Sequence, residues 1–249
     1  MIQSSQNQHY KRWLSYATSP EKSTCPWIPV EGSRKIDELA KRQVLELLIF
    51  CPERITPSHA LLKKARNSVQ LPEKLFRSLS NVESPQGILG FFSKPSWRWS
   101  DVKSDLLYLD RLQDPGNLGT LLRTAAATGV FSIITSPGTV SCFKNKVVRS
   151  SAGYLFSVPF LEGVPIAALV ERHYHLFAAY PREGRMLFEV PFESPLALIV
   201  GSESQGVDLS EFKDYVDPIH IPMAAGTDSL NAAISGSILM YEVLRRKIL

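Results

Sequence analysis

The sequence predicts an α/β protein built in two parts, and three observations carry that expectation. From Ile28 onward, short apolar runs of strand length alternate with stretches of helical spacing. The densest apolar stretches, Leu45–Phe50 and Leu196–Val200 among them, are strand-sized and far below the ~18–20 residues of a membrane span. Charge is also unevenly divided: residues 1–100 carry 15 Lys/Arg against 8 Asp/Glu, whereas residues 101–249 carry 13 against 16.

With 44% hydrophobic and 21% charged residues, the 249-residue chain has a globular composition that excludes disorder, collagen-like repeats and coiled coil. A basic front module beside a slightly acidic remainder suits one part that meets a polyanion and another with a different task, the plain alternative being a solvated surface. The start, MIQSSQNQHYKRWLSY, has no apolar signal stretch, and Cys25, Cys51 and Cys142 show no CxxC spacing. A cytoplasmic protein without metal and without membrane association is expected.

The elements follow in order. Residues 1–27 read as a polar arm with an amphipathic segment from His9 to Tyr16. Residues 28–93 read as a small α/β domain, with strands at 28–30, 44–50 and 87–93 and helices at 33–42, 57–67 and 72–80. The Pro/Ser/Trp-rich 94–104 reads as a linker. Residues 105–249 form a second α/β domain. Its first strand is 105–110, and a helix from Leu118 to Thr128 is stopped by Gly129. Strands follow at 130–135, 175–180 and 196–200. A closing helix from Ser229 to about Lys247 keeps apolar positions Leu230, Ile234, Ile238, Tyr241, Leu244 and Ile248. Strand–helix alternation of this kind implies a parallel sheet.

Ligands of open α/β sheets bind beyond the carboxyl ends of strands, so the strand-to-loop junctions are the candidate sites. After the strand ending at Asp110, a tight turn through Pro115 and Gly116 presents Asn117, with Arg123 further along the helix. An ordinary β–loop–α unit with a solvated Arg is the alternative. After 196–200, Gly201, Ser202 and Glu203 lead to Gly206; a carboxylate there suits a hydroxyl or cation better than phosphate, and no GK[ST] follows. The third junction runs from Ile221 and Met223 to Ser229, Leu230 and Asn231 at the start of the last helix, where Asp228 or Ser229 could simply be a cap.

Together and in this order the three junctions resemble the three motifs of the SpoU, or TrmH-like, branch of the SPOUT RNA methyltransferases: Asn117-x-Gly119-x-x-x-Arg123, Gly201–Gly206, and Ile221–Met223 with Ser229–Asn231. The resemblance spans about residues 105–247, and 28–93 is more loosely similar to the family's L30e-like substrate-binding domain. Many relatives have Val-Ser where this chain has Ala232-Ala233.

The resemblance implies a deep trefoil knot, a homodimer, and transfer of a methyl group from S-adenosyl-L-methionine to a ribose 2′-hydroxyl of structured rRNA or tRNA. It assigns Arg123, Asn117, Glu203, Ser229 and Asn231 to the acceptor side and Gly201, Ser202, Ile221, Met223, Ser229, Leu230 and Ala232 to the methyl donor. The basic module would hold RNA through Arg34 and Lys35, with Lys144, Lys146 and Arg149 extending the track. A guanidinium is far too weakly acidic to serve readily as a base at neutral pH, which suits Arg123 to stabilising a developing alkoxide or fixing a phosphate instead. A noncatalytic RNA-binding or ribosome-assembly factor on the same fold is the alternative. A Rossmann or P-loop enzyme is disfavoured by the lack of GxGxxG after the first strands and of GxxxxGK[ST] anywhere.

Overall fold

The computed structural model describes residues 4–203, 205–207 and 210–248; Met1 to Gln3 of the expected arm and Ser204 of the Gly201–Gly206 motif lie outside them. The chain forms two compact units, one of Met1–Pro95 with Phe143–Arg149 and one of Ser96–Cys142 with Ser150–Leu249. Residues 143–149, expected within the second domain, thus belong to the first unit, and most of the expected linker belongs to the second.

In the first unit the arm is a helix, α1 (Gln8–Thr18), opened by Asn7, whose side chain accepts from the backbone N–H of His9 and Tyr10. Tyr10, Trp13 and Ala17 line its buried face, and the Tyr10 hydroxyl donates to the Leu75 carbonyl at 3.1 Å. The sheet contains β1 (Trp27–Glu31), β2 (Leu45–Phe50), β3 (Ala65–Gln70) and β4 (Ile88–Ser93) in the order β1-β4-β2-β3. Strand β4 is antiparallel to β1 and β2, while β2 and β3 are parallel. Helices α2 (Ser33–Leu39), α3 (His59–Lys64) and α4 (Glu73–Leu79) complete the unit. The helix expected over 57–67 stops at Lys64, and Ala65, Arg66 and Asn67 begin β3. That edge strand is mostly exposed and polar, so it shows no apolar alternation.

The second unit holds β5 (Asp105–Leu109), β6 (Phe131–Thr135), β7 (Phe160–Leu161), β8 (His175–Ala179), β9 (Arg185–Met186), β10 (Leu196–Val200) and β11 (Val216–His220), in the order β7-β6-β5-β10-β8-β11-β9. Every pairing among them is parallel. Strands β5, β6 and β10 are buried throughout, as expected for the centre of a sheet covered on both faces. Its helices are α5 (Pro115–Thr128), α6 (Asn145–Ser150, shared with the first unit), α7 (Ala167–Val170) and α8 (Ala232–Ile248). Strands β7 and β9 have two residues each, and β11 carries Pro218 and an exposed Asp217. Their brevity and polarity left them invisible to apolar patterning.

Two helices start elsewhere than their apolar spacing suggests, and a cap explains each. Helix α5 begins at Pro115, three residues before Leu118, because the Asp114 side chain accepts from the Asn117 N–H at 2.9 Å and proline suits the first helical position. Asn117 is therefore in the first helical turn rather than in a loop. Helix α8 begins at Ala232 rather than Ser229. Asn231 Oδ1 accepts from the N–H of Ala233 at 2.9 Å and of Ile234 at 3.3 Å, taking the role expected of Asp228 or Ser229.

Helix α8 packs on α5, where a Cβ on Gly236 would stand 2.6 Å from Leu121 Cδ2, and Thr124 shares a hydroxyl hydrogen bond with Ser237. Its buried residues are Ala232, Ala233, Gly236, Leu239, Met240, Glu242 and Val243. The apolar stripe read from the sequence lies elsewhere: Ile234 is 52%, Tyr241 51% and Ile248 72% exposed. Among the described residues no helix is long and apolar enough to cross a membrane.

Candidate active site

Because β5 and β10 are parallel neighbours, the loops that follow them leave the same edge of the sheet side by side. Strand β5 also has β6 on its other side, so the chain order switches direction here, the usual place for a ligand crevice. A cavity of about 400 Å³ opens at this edge. Its walls come from Ala179–Pro181 after β8, Val200–Glu203 and Gln205–Val207 after β10, Ile221 and Met223 after β11, and Ser229, Leu230, Ala232 and Ser235 at the entry to α8.

The loop after β10 is a tight reversal. Ser202 and Gly206 exchange backbone hydrogen bonds at 2.9 and 3.2 Å, and Gly206 has φ 65°. A Cβ on Gly201 would stand 2.1 Å from the Gly206 carbonyl carbon, so only glycine lets the two limbs meet this closely. The cavity consequently presents backbone on one wall, with Ile221, Met223, Leu230 and Val207 as apolar surface and Ser202, Ser229 and Ser235 as hydroxyls.

At its rim Asn117 Nδ2 donates to Glu203 Oε1 at 2.6 Å, and Asn231 Nδ2 donates to Asn117 Oδ1 at 3.1 Å. The Gln113 N–H reaches Glu203 Oε2 at 3.5 Å. Since Asn231 uses its Oδ1 to cap α8, its amide group is fixed at both ends. One carboxylate and two amides, from the loop after β10, the first turn of α5 and the entry to α8, thus form a continuous polar chain.

All seven residues assigned to a donor, Gly201, Ser202, Ile221, Met223, Ser229, Leu230 and Ala232, line this one cavity. Of the acceptor-side set, Asn117, Glu203 and Asn231 are linked by hydrogen bonds and Ser229 lines the cavity wall. Arg123 stands apart. Six residues beyond Asn117, it is rotated roughly 120° around α5 at about 100° per residue, its side chain is exposed, and it makes no hydrogen bond or ion pair among the described residues.

Sequence reasoning missed Tyr180 and Pro181, although the strand ending at Tyr180 was itself anticipated. It also missed Arg111. That residue, at φ 53°, donates to Asp110 Oδ2 at 2.9 Å and to Gln205 Oε1 at 3.3 Å, tying the loop after β5 to the loop that carries Glu203. The signal available was the Asp-Arg pair at the strand end.

The residues assigned to RNA all fall in the first unit: Arg34 and Lys35 on α2, and Lys144, Lys146 and Arg149 in 143–149. Arg34, Lys144, Lys146 and Arg149 are exposed, and Lys144 is paired with Glu21 at 2.9 Å. No group of three or more His, Cys, Asp or Glu arranged to hold a metal occurs among the described residues.

Comparison with known proteins agrees with this geometry. The model of the SpoU rRNA Methylase family matches residues 105–241. The chain is 30% identical over 247 residues to the 23S rRNA (guanosine(2553)-2′-O)-methyltransferase RlmP of Bacillus subtilis (strain 168), covering 97% of this chain and 98% of that one. The fold superposes on the SpoU methyltransferase AviRb from Streptomyces viridochromogenes in complex with AdoMet, at TM-score 0.85 and 23% identity, with 98% and 99% of the chains covered. It also superposes on a solved RNA 2′-O ribose methyltransferase at TM-score 0.78 and 26% identity, with 100% and 99% covered. From its three motifs, the cavity that the second and third line, and these matches, the chain belongs to the SpoU rRNA methylase family.

Proposed function

We propose that the protein transfers a methyl group from S-adenosyl-L-methionine to a ribose 2′-hydroxyl of structured RNA, and that ribosomal RNA is the substrate. The observation that carries this reading is the hydrogen-bonded chain Glu203–Asn117–Asn231 at the rim of the cavity. The cavity fits the donor: Ile221, Met223 and Leu230 offer apolar surface for a heterocycle, while Ser202, Ser229, Ser235 and the glycine-bounded backbone offer partners for polar ends. When bound, S-adenosyl-L-methionine supplies an activated methyl group on a sulfonium.

The protein's own residues then have separable tasks. Glu203 is acceptor-only, so it can take a hydrogen bond from a ribose hydroxyl once Asn117 has fixed its carboxylate. Holding that oxygen in line with the methyl group contributes much of the rate in a displacement reaction. Arg123 stands apart from that chain, exposed and without a partner among the described residues, and its guanidinium suits contact with an RNA phosphate or the countering of charge that grows on the oxygen.

The finer architecture belongs to the same reading. The first unit, a mixed four-stranded sheet with short helices, is the L30e-like RNA-binding domain, with Arg34, Lys35, Lys144, Lys146 and Arg149 facing phosphates. The segment from Ile221 through α8 forms the trefoil knot around the donor cavity. The exposed stripe Ile234, Tyr241 and Ile248 is the contact face of a homodimer, since an isolated chain would leave it in water. Three free, buried cysteines suit a cytoplasmic protein.

Incubation of ribosomal RNA with radiolabelled donor, followed by alkaline hydrolysis, tests the reading. A 2′-O-methyl group blocks the internal attack that cuts RNA, so label in alkali-resistant dinucleotides is expected. Label in mononucleotides or in a free base would overturn it.

A further inference from the structure

A second cavity, of about 200 Å³, lies wholly in the first unit and has no part in the donor site. Pro29, Val30, Val82 and Val148 give it apolar walls, Lys35 and Arg149 bring positive charge, and Glu31, Asn81 and Asn145 complete it. The polar groups are already partly committed. Glu31 Oε2 accepts from the Ser80 hydroxyl at 2.7 Å and Oε1 from the Asn81 N–H at 2.8 Å, so its carboxylate is tied down. Asn81 Nδ2 and Asn145 Nδ2 both donate to the Ala17 carbonyl, each at 2.9 Å. A carbonyl only accepts, so both amides must turn their NH₂ groups toward it. Each is left with an Oδ1 acceptor to which nothing donates among the described residues.

Apolar walls, two amide acceptors and two cations fit one kind of occupant: a flat heterocycle that carries hydrogen-bond donors and is attached to an anion. The volume suits a single ring system. We propose that this cavity takes one unpaired nucleotide of the RNA substrate whose base bears an exocyclic amine, adenine, cytosine or guanine in preference to uracil. The inference rests on the RNA reading above. Unstacked bases held by their edges are the usual means by which proteins read RNA sequence. The cavity gives the basic unit a way to select a position as well as to hold phosphates. Lys35 and Arg149 would meet the phosphate of the captured nucleotide.

The test uses the full-length protein and oligoribonucleotides of equal length, oligo(A), oligo(C) and oligo(U), with binding followed by fluorescence anisotropy. Val82 lies at the mouth and is 36% exposed, so Val82→Trp fills the cavity without unseating a buried side chain. Wild-type protein should bind oligo(A) and oligo(C) at least about fivefold more tightly than oligo(U); V82W should lose that preference, and Arg149→Ala should weaken all three about equally, while both variants bind S-adenosylhomocysteine unchanged. Equal binding of all three oligonucleotides, or a preference that survives in V82W, would overturn the proposal. CMP bound as tightly as oligo(C) would overturn it in favour of a free nucleotide. The parent reading is scored separately by methyl transfer to ribosomal RNA. If that reading alone were wrong, the base preference and its loss in V82W would stand while no label reached RNA. If the cavity alone were wrong, wild type and V82W would methylate with the same KM.

Discussion

Asn117 donates its amide N–H to Glu203 Oε1 at 2.6 Å, joining the first turn of α5 to the loop after β10. Replacing Asn117 with Asp keeps the shape but sets two carboxylates against each other. They cannot both ionise without cost, so the pair's upper apparent pKa rises. Asn117→Asp is expected to lower kcat by roughly 10²–10³-fold near neutrality, the scale of losing one oriented polar group in an active site. Part of the activity should return as pH falls and the pair takes up a proton. Methyl incorporation measured across pH 5–9 checks this, and a loss that is flat with pH would contradict it.

Gly201 and Gly206 face each other across the same loop yet should respond differently to alanine. At Gly201 the added Cβ meets backbone at 2.1 Å, whereas at Gly206 it meets nothing within 4 Å and the cost is only that of φ 65°. We expect Gly201→Ala to weaken S-adenosylhomocysteine binding by more than about 30-fold. Gly206→Ala should cost about 1–2 kcal/mol, or roughly 5–30-fold. Calorimetric titration of both variants decides it.

Arg123 lies outside the donor cavity and Leu230 lines it. Arg123→Ala should therefore abolish methyl transfer with donor affinity within about threefold of wild type, and Leu230→Arg should remove donor binding itself by filling the cavity. A large loss of S-adenosylhomocysteine affinity in the Arg123 variant would contradict the division.

Helix α8 buries Glu242 between two cations: Arg245 Nε donates to it at 2.8 Å and Arg246 Nε at 2.7 Å. The hydrogen bond from Arg245 leads in holding the carboxyl below its ordinary range, against the upward push of burial, with Arg246 adding to the effect. A depressed folded-state value contributes stability that is complete above the unfolded-chain pKa near ~4.3 and is lost as pH falls through the folded one. Arg245 is half exposed, which tempers the gain. Glu242→Gln should cost about 1–2 kcal/mol at pH 7, with the difference shrinking below about pH 4. Urea unfolding at the two pH values measures it.

The exposed side of α8 gives a separate test. Ile234→Asp with Tyr241→Asp places two charges on a face that the folded chain does not itself cover. Sedimentation should show wild type as a dimer and the double variant as a monomer with an unchanged circular dichroism spectrum. A monomeric wild type would remove the dimer from the functional reading.

The sequence showed the parallel sheet clearly where strands are buried on both faces, as at Leu106–Leu109 and Leu196–Val200, because continuous apolar runs there have no competing explanation. It failed at β3 and β11, where exposed Arg66, Asn67 and Asp217 interrupt any apolar run. Helix starts were misplaced by three residues at both α5 and α8, since apolar spacing reports the packed face while Asp114 and Asn231 set the first turn. The stripe from Ile234 to Ile248 kept helical period, but period cannot tell a face buried within one chain from a face left on its surface. The hydrogen-bonded chain at the site was not legible either, because Asn117, Glu203 and Asn231 come from distant parts of the sequence and only the fold sets their distances.

The short segment Phe143–Arg149 is the last piece of the first unit, yet 47 residues of the second unit, Ser96–Cys142, precede it along the chain. During synthesis, then, the amino-terminal unit cannot finish folding when its own 95 residues have left the ribosome; it must wait while about a third of the next unit emerges. For the same reason no single proteolytic cut releases both units intact. A nascent chain stalled before residue 143 would expose the surface that this segment covers, so the two halves of this protein are made as one object.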